Sequence, residues 1–165
     1  MGLDMYLHKR QKQDKKKLEE LDYEDWKYRE IAYWRKANQI HKWFVDNVQN
    51  GEDDCGEYLV SKEQLEELLD LCNEVLSKAE LVDGVIHNGY SYKNGERTEI
   101  LEDGKIIKNP DICKELLPST DGFFFGSTDY DEWYLKDIED TIEQLNYILG
   151  NLNFDEYDVI YHSSW

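Results

Sequence analysis

Trp34, Asn38 and His41 follow one another at steps of four and three residues, flanked by Arg35, Lys36 and Lys42. On a helix that spacing gathers the three on one face. An arginine beside a tryptophan can grip an anion through two parallel hydrogen bonds while the ring stacks on a planar group. The chain has only four arginines, Arg10, Arg29, Arg35 and Arg97, so two of them close to this face stand out. The competing reading is that Trp34 and His41 are core and the cations are its solvated edge, because large rings pack more often than they bind. Ser127, within GFFFGSTDY (122–130), precedes a predicted helix start, where free backbone N–H groups attract anions; Asp129 and Asp131 oppose that attraction. Trp165 ends the chain and is expected to fold back, since a free ring would leave a large apolar area in water. Trp34, Arg35, Asn38, His41, Ser127 and Trp165 are therefore the candidate ligand-binding residues. The ligand they suit is a phosphorylated or nucleotide-like small molecule, bound without turnover.

Catalysis has less to stand on. Cys55, in the turn DDCGEY (53–58), could pair with His41 as a nucleophile, and the neighbouring carboxylates could hold a hard cation. A nucleophile needs a base and an orienting group within reach, which spacing does not establish. No Cys-x-x-Cys or His-Glu-x-x-His spacing occurs. His8 and His162 lie on predicted terminal strands and meet if those strands pair, but two histidines make a poor metal site. No catalytic residue, metal ligand or cofactor is assigned.

The elements that must position these residues can be read from periodicity. LDMYLH (3–8) alternates as a half-buried strand. Residues 9–17 read as a loop or a frayed helix start. From 23 to 49 the apolar spacing is helical, with Ile31, Trp34, His41, Val45 and Val48 on one stripe and Tyr33, Ile40 and Trp43 on another. Glu57 to Val60 reads as a short strand. Ser61 and Gln64 form a capping box opening a helix to about residue 80, with Val60 and Leu65 as its hydrophobic staple. Turn signals at Asn88-Gly89, Asn94-Gly95 and Asp103-Gly104 predict a projecting hairpin or meander over 82–108. Pro110 opens a short helix. GFFFGS (122–127) reads as an apolar strand. Asp129 and Glu132 form a second capping-box spacing, for a helix of about 130–149 closed by Gly150. Asp137, Glu139, Asp140 and Glu143 fall on that helix's outer face. The chain ends in a strand over 157–165. The expected fold is one α+β domain over 1–165, with three main helices packed on a small mixed or antiparallel sheet.

The charge is uneven. Of 165 residues, 37 are acidic and 19 are Lys or Arg, a net −18. KRQKQDKKK (9–17) holds six of the cations and one Asp, leaving 36 acids against 13 cations elsewhere. Such a surface repels duplex nucleic acid and anionic membranes. Cys55, Cys72 and Cys113, odd in number and well separated, read as reduced thiols of a cytoplasmic protein. No run approaches a membrane span.

MGLDMYL (1–7), YWRKANQIHKWF (33–44), DDCGEY (53–58), GFFFGSTDYDEWY (122–134) and YHSSW (161–165) together resemble a family of small proteins encoded by phages and prophages. That resemblance implies a bacterial host cytoplasm and a phage accessory protein acting in counter-defence. Such a protein sequesters a signalling nucleotide or blocks a defence protein. Its alternative mode follows from charge: an acidic inhibitor or adaptor occupying a basic surface of a host protein, with 82–108 as a specificity element. A homodimer through one of the ring-bearing helices is also open.

Overall fold

The computed structural model describes residues 2–165. The fold is α+β. A four-stranded antiparallel sheet, in the order β2-β1-β6-β3, is built from β1 (Asp4–Gln11), β2 (Glu30–Arg35), β3 (Tyr58–Val60) and β6 (Tyr157–Ser164). The two terminal strands pair at its centre, with His162 opposite Tyr6 and Ile160 opposite His8. Strand alternation gives the sheet two chemistries. Leu3, Met5, Leu7, Ala32, Trp34, Val159 and Tyr161 point inward to one buried cluster. Asp4, Tyr6, His8, Tyr33 and Arg35 line the opposite face.

The inward face is covered by α2 (Asn38–Asn47), α3 (Lys62–Lys78) and α5 (Glu132–Asn151), which contribute Ile40, Phe44, Leu65, Leu68, Leu135, Ile138 and Leu145. Phe44 stacks flat on Tyr161, with centroids 4.0 Å apart and planes 7° from parallel. Such ring pairs add roughly 0.5–1.5 kcal/mol to the area they bury. The predicted capping box is present: Ser61 Oγ accepts from Gln64 N at 3.1 Å, and Gln64 Oε1 accepts from Ser61 N at 3.0 Å. Val60 and Leu65 beside it are both buried.

The single helix expected over 23–49 is instead three elements: α1 (Tyr23–Arg29), β2 and α2. EIAYWR also satisfies a period of two, with Ala32 and Trp34 inward and Tyr33 and Arg35 outward. Pairing to β1, a non-local set of hydrogen bonds, selects that period. Lys36, at φ 57°, turns the chain from β2 into α2, and its N–H donates to Leu3 O at 2.8 Å.

The other corrections concern chain ends and turns. GFFFGS is a loop rather than a strand: Phe123 and Phe124 are exposed, Phe124 and Gly126 have positive φ, and only Phe125 enters the core. The cap of α5 is Asp131, which accepts from the N–H groups of Trp133 and Tyr134, rather than Asp129. Gly150 lies inside α5, which runs on to Asn151. Residues 9–11 continue β1.

The predicted hairpin is one ribbon, β4 (Leu81–Lys93) with β5 (Glu96–Ile107), turning at Asn94-Gly95. Gly84 and Gly104 face each other across it. A Cβ on Gly104 would lie 2.8 Å from Ile86 Cδ1, and one on Gly84 2.7 Å from Ile106 Cγ1. The glycines thus let the two isoleucines lie across the ribbon at its base. A short helix, α4 (Asp111–Leu116), follows, with Pro110 at its cap.

Candidate functional site

The structure does not gather the six predicted ligand residues into one pocket. Trp34 is core, and its indole N–H donates to Thr141 Oγ1 at 2.9 Å. Asn38 is buried and holds the 118–128 loop: its amide N–H groups donate to Phe125 O and Ser127 O, and its Oδ1 accepts from Thr120 N. His41 is buried with both ring nitrogens occupied. Nδ1 lies 2.6 Å from the Tyr161 hydroxyl and Nε2 2.9 Å from Asp53 Oδ2. Burial lifts the Tyr161 phenol well above its usual range, so it stays protonated. Trp165 folds back as expected, donating from Nε1 to Asp53 Oδ1 at 3.0 Å and packing edge-on to Phe125.

Tyr161, His41, Asp53 and Trp165 therefore form one chain of bonds that ties the last strand to α2. With both its nitrogens engaged there, His41 is not poised as the base of Cys55. Cys55, Cys72 and Cys113 are free thiols, and burial pushes the Cys72 thiol up to about 12, which makes it inert at neutral pH.

Arg35 and Ser127 do share a cleft. It encloses about 300 Å³ between the β2–α2 turn, the 122–131 loop and the start of α5, and Lys36, Trp133, Lys136 and Asp137 also line it. Gly126, at φ +90°, brings the loop against Lys36: a Cβ there would lie 3.1 Å from Lys36 Cβ. Lys36 is exposed and makes no ion pair among the described residues. The ring of Trp133 stands 61% exposed at the rim. Lys136 is bonded to Asp140 at 2.7 Å.

Three carboxylates border these cations. Asp131 is occupied by capping, and His87 reaches toward Asp129 at 3.8 Å. Asp137 is half-buried rather than on the outer face, and Gln39 Nε2 donates to it at 3.4 Å. Burial raises its carboxyl to about 7, so near neutral pH it is half protonated and repels an anion less than a free aspartate does. Trp133, Gln39 and Asp137 were not singled out from sequence as ligand residues. The signal that could have found Trp133 is a large ring at the second position of a capped helix, where α5 emerges from a glycine-bearing loop.

Arg35 also lines a second, larger cleft of about 640 Å³ on the outer face of the sheet, walled by α1. Its guanidinium donates to Asp4 Oδ1 at 2.9 Å, and the Tyr33 hydroxyl donates to the same oxygen. Behind this cleft His8 is fully buried with neither ring nitrogen hydrogen-bonded. Burial, with His162, Arg29 and Lys27 nearby, lowers its pKa to about 4, so it is neutral.

No helix among the described residues is long and apolar enough to cross a membrane, and no group of three or more metal-binding side chains occurs among them. In comparisons with known proteins, no family model matches the chain and neither a curated protein nor a solved structure proves similar to it.

Proposed function

We propose that this protein binds a small phosphorylated or nucleotide-like molecule, without turnover, in the cleft beside Lys36. The observation that carries the reading is that Lys36, which has no ion-pair partner among the described residues, and the exposed Trp133 line one cleft together with Arg35 and Ser127. A base or other planar group stacks on Trp133 while its phosphate meets Lys36, with Arg35 and Lys136 adding field at the rim. In a phage setting, such binding would remove a host signalling nucleotide from solution.

The test is calorimetric titration with AMP, adenosine and inorganic phosphate. AMP is expected to bind more tightly than either fragment, and Lys36→Ala or Trp133→Ala to weaken it at least tenfold. Both side chains are exposed, so both variants should melt with the parent. Equal affinity in parent and variants, or no heat with AMP, removes this reading.

The alternative, contact with a basic surface of a host protein, is favoured by one separate observation. From His87 to Asp103 every residue of the β4–β5 ribbon is exposed, including Tyr90, Tyr92 and Leu101.

A further inference from the structure

The outer face of the sheet carries a layer of rings that the cleft beside Lys36 does not use. Tyr33 of β2 lies directly across from Tyr6 of β1, and His162 of β6 lies across on its other side. Trp26 of α1 meets this layer edge-on. Its centroid is 5.4 Å from Tyr6 at 78°, 4.2 Å from His8 at 63° and 5.7 Å from His162 at 82°. Tyr6 and Tyr33 are 5.2 Å apart. The interlocked rings fix the back of the 640 Å³ cleft, while Tyr23 and Tyr33 stay exposed at its mouth.

The charged groups around these rings are unequally matched. Asp4, Asp22 and Glu30 line the cleft together with Lys27 and Arg35. Each cation already has its acid: Arg35 lies 2.9 Å from Asp4, and Lys27 lies 3.6 Å from Glu30. The carboxylate of Asp22, the cap of α1, accepts only the backbone N–H of Asp25, at 2.9 Å, and has no cationic partner among the described residues. An anion entering here would meet carboxylates whose counter-charges are spent. A cation would meet ring faces, which carry negative potential, and the unneutralised Asp22. The protein's net charge of −18 draws cations toward the same mouth.

We infer that this cleft is a second binding site, specific for an organic cation, either a guanidinium or an alkylammonium group. The group lies against Tyr23, Trp26 and Tyr33 and completes its charge on Asp22. The cleft shares only Arg35 with the one beside Lys36 and takes the opposite charge, so either site can fail without the other.

The two sources of such a group, a side chain of a basic protein and a free polyamine, share this chemistry and are distinguished by probe. N-acetyl-arginine methylamide, N-acetyl-lysine methylamide, spermidine and AMP are titrated into the full-length protein while the Trp26 indole N–H is followed by NMR. The amides or spermidine are expected to shift that resonance saturably. Tyr23→Ala and Asp22→Asn should each weaken binding at least fivefold. Tyr23 is 74% exposed and Asn keeps the capping acceptor, so both variants should retain the free protein's spectrum. Saturation by the amides at concentrations similar to spermidine assigns the site to a protein side chain. Spermidine binding tenfold tighter than both amides assigns it to a free polyamine. Either outcome supports a cation site. A Trp26 shift caused by AMP alone, no shift with any cation, or unchanged affinity in both variants overturns it.

Discussion

His41 and Asp137 show how tertiary surroundings decide what a polar side chain can do. His41 has the right identity for catalysis, but with Tyr161 on one nitrogen and Asp53 on the other it is fully satisfied and serves to anchor a strand. Asp137 reads from sequence as a solvated acid; half-burial beside Gln39 instead lifts its carboxyl to about 7. Because this value lies above the ~3.9 of an unfolded aspartate, the folded state binds more protons between pH 4 and 7. Stability attributable to Asp137 therefore falls as pH rises through that window. Asp137→Asn keeps an acceptor for Gln39 and removes the charge. It is expected to raise Tm by several degrees at pH 8, and the gain should shrink below pH 7 and vanish near pH 4. A calorimetric series across that range checks this; a gain independent of pH would mean that packing, not ionisation, sets the effect.

At the level of elements, the β4–β5 ribbon and β2 behave oppositely. β2 has only six residues, yet it is fixed by its ladder to β1 and by Trp34 and Ala32 in the core. The ribbon is long but held near its base, through Ile86, Ile106 and Ile107 and by His87 beside Asp129, with Ile107 N donating to Tyr130 O at 3.0 Å. Replacing residues 88–100 with Asn-Gly, a two-residue turn suited to a twisted hairpin, should therefore leave Tm within about 2–4 °C, the change expected for roughly 1 kcal/mol in a domain of this size. A larger loss in a thermal melt would show that the distal ribbon packs on the body. The period-two pattern of the ribbon and its turn signals are visible in sequence. For 30–35 two periods fit equally, and only the partner strand chooses between them.

For the whole molecule, the net charge of −18 is spread over the helices, the β4–β5 ribbon and the loops, where many acids have no cation to meet. Self-repulsion of this kind is screened by salt, the Debye length shrinking from ~30 Å at 0.01 M to ~8 Å at 0.15 M. Tm is expected to rise by a few degrees over that interval. A fall would show that ion pairs such as Asp14–Arg29, at 2.9 Å, outweigh the repulsion.

Composition, periodicity and turn chemistry determined the α+β class, the terminal strands, the capped α3 and the hairpin, because each depends on residues close in sequence. Only the tertiary structure decided that 23–49 breaks into three elements, that GFFFGS is a loop pinned by Asn38, and that Trp34, Asn38 and His41 are structural. It alone brought Lys36 and Trp133, nearly a hundred residues apart in sequence, to the lining of one cleft, and built a ring-lined cleft from β1, β2 and α1. Those outcomes depend on strand pairing and burial between distant segments, and no local pattern encodes which side chains will meet.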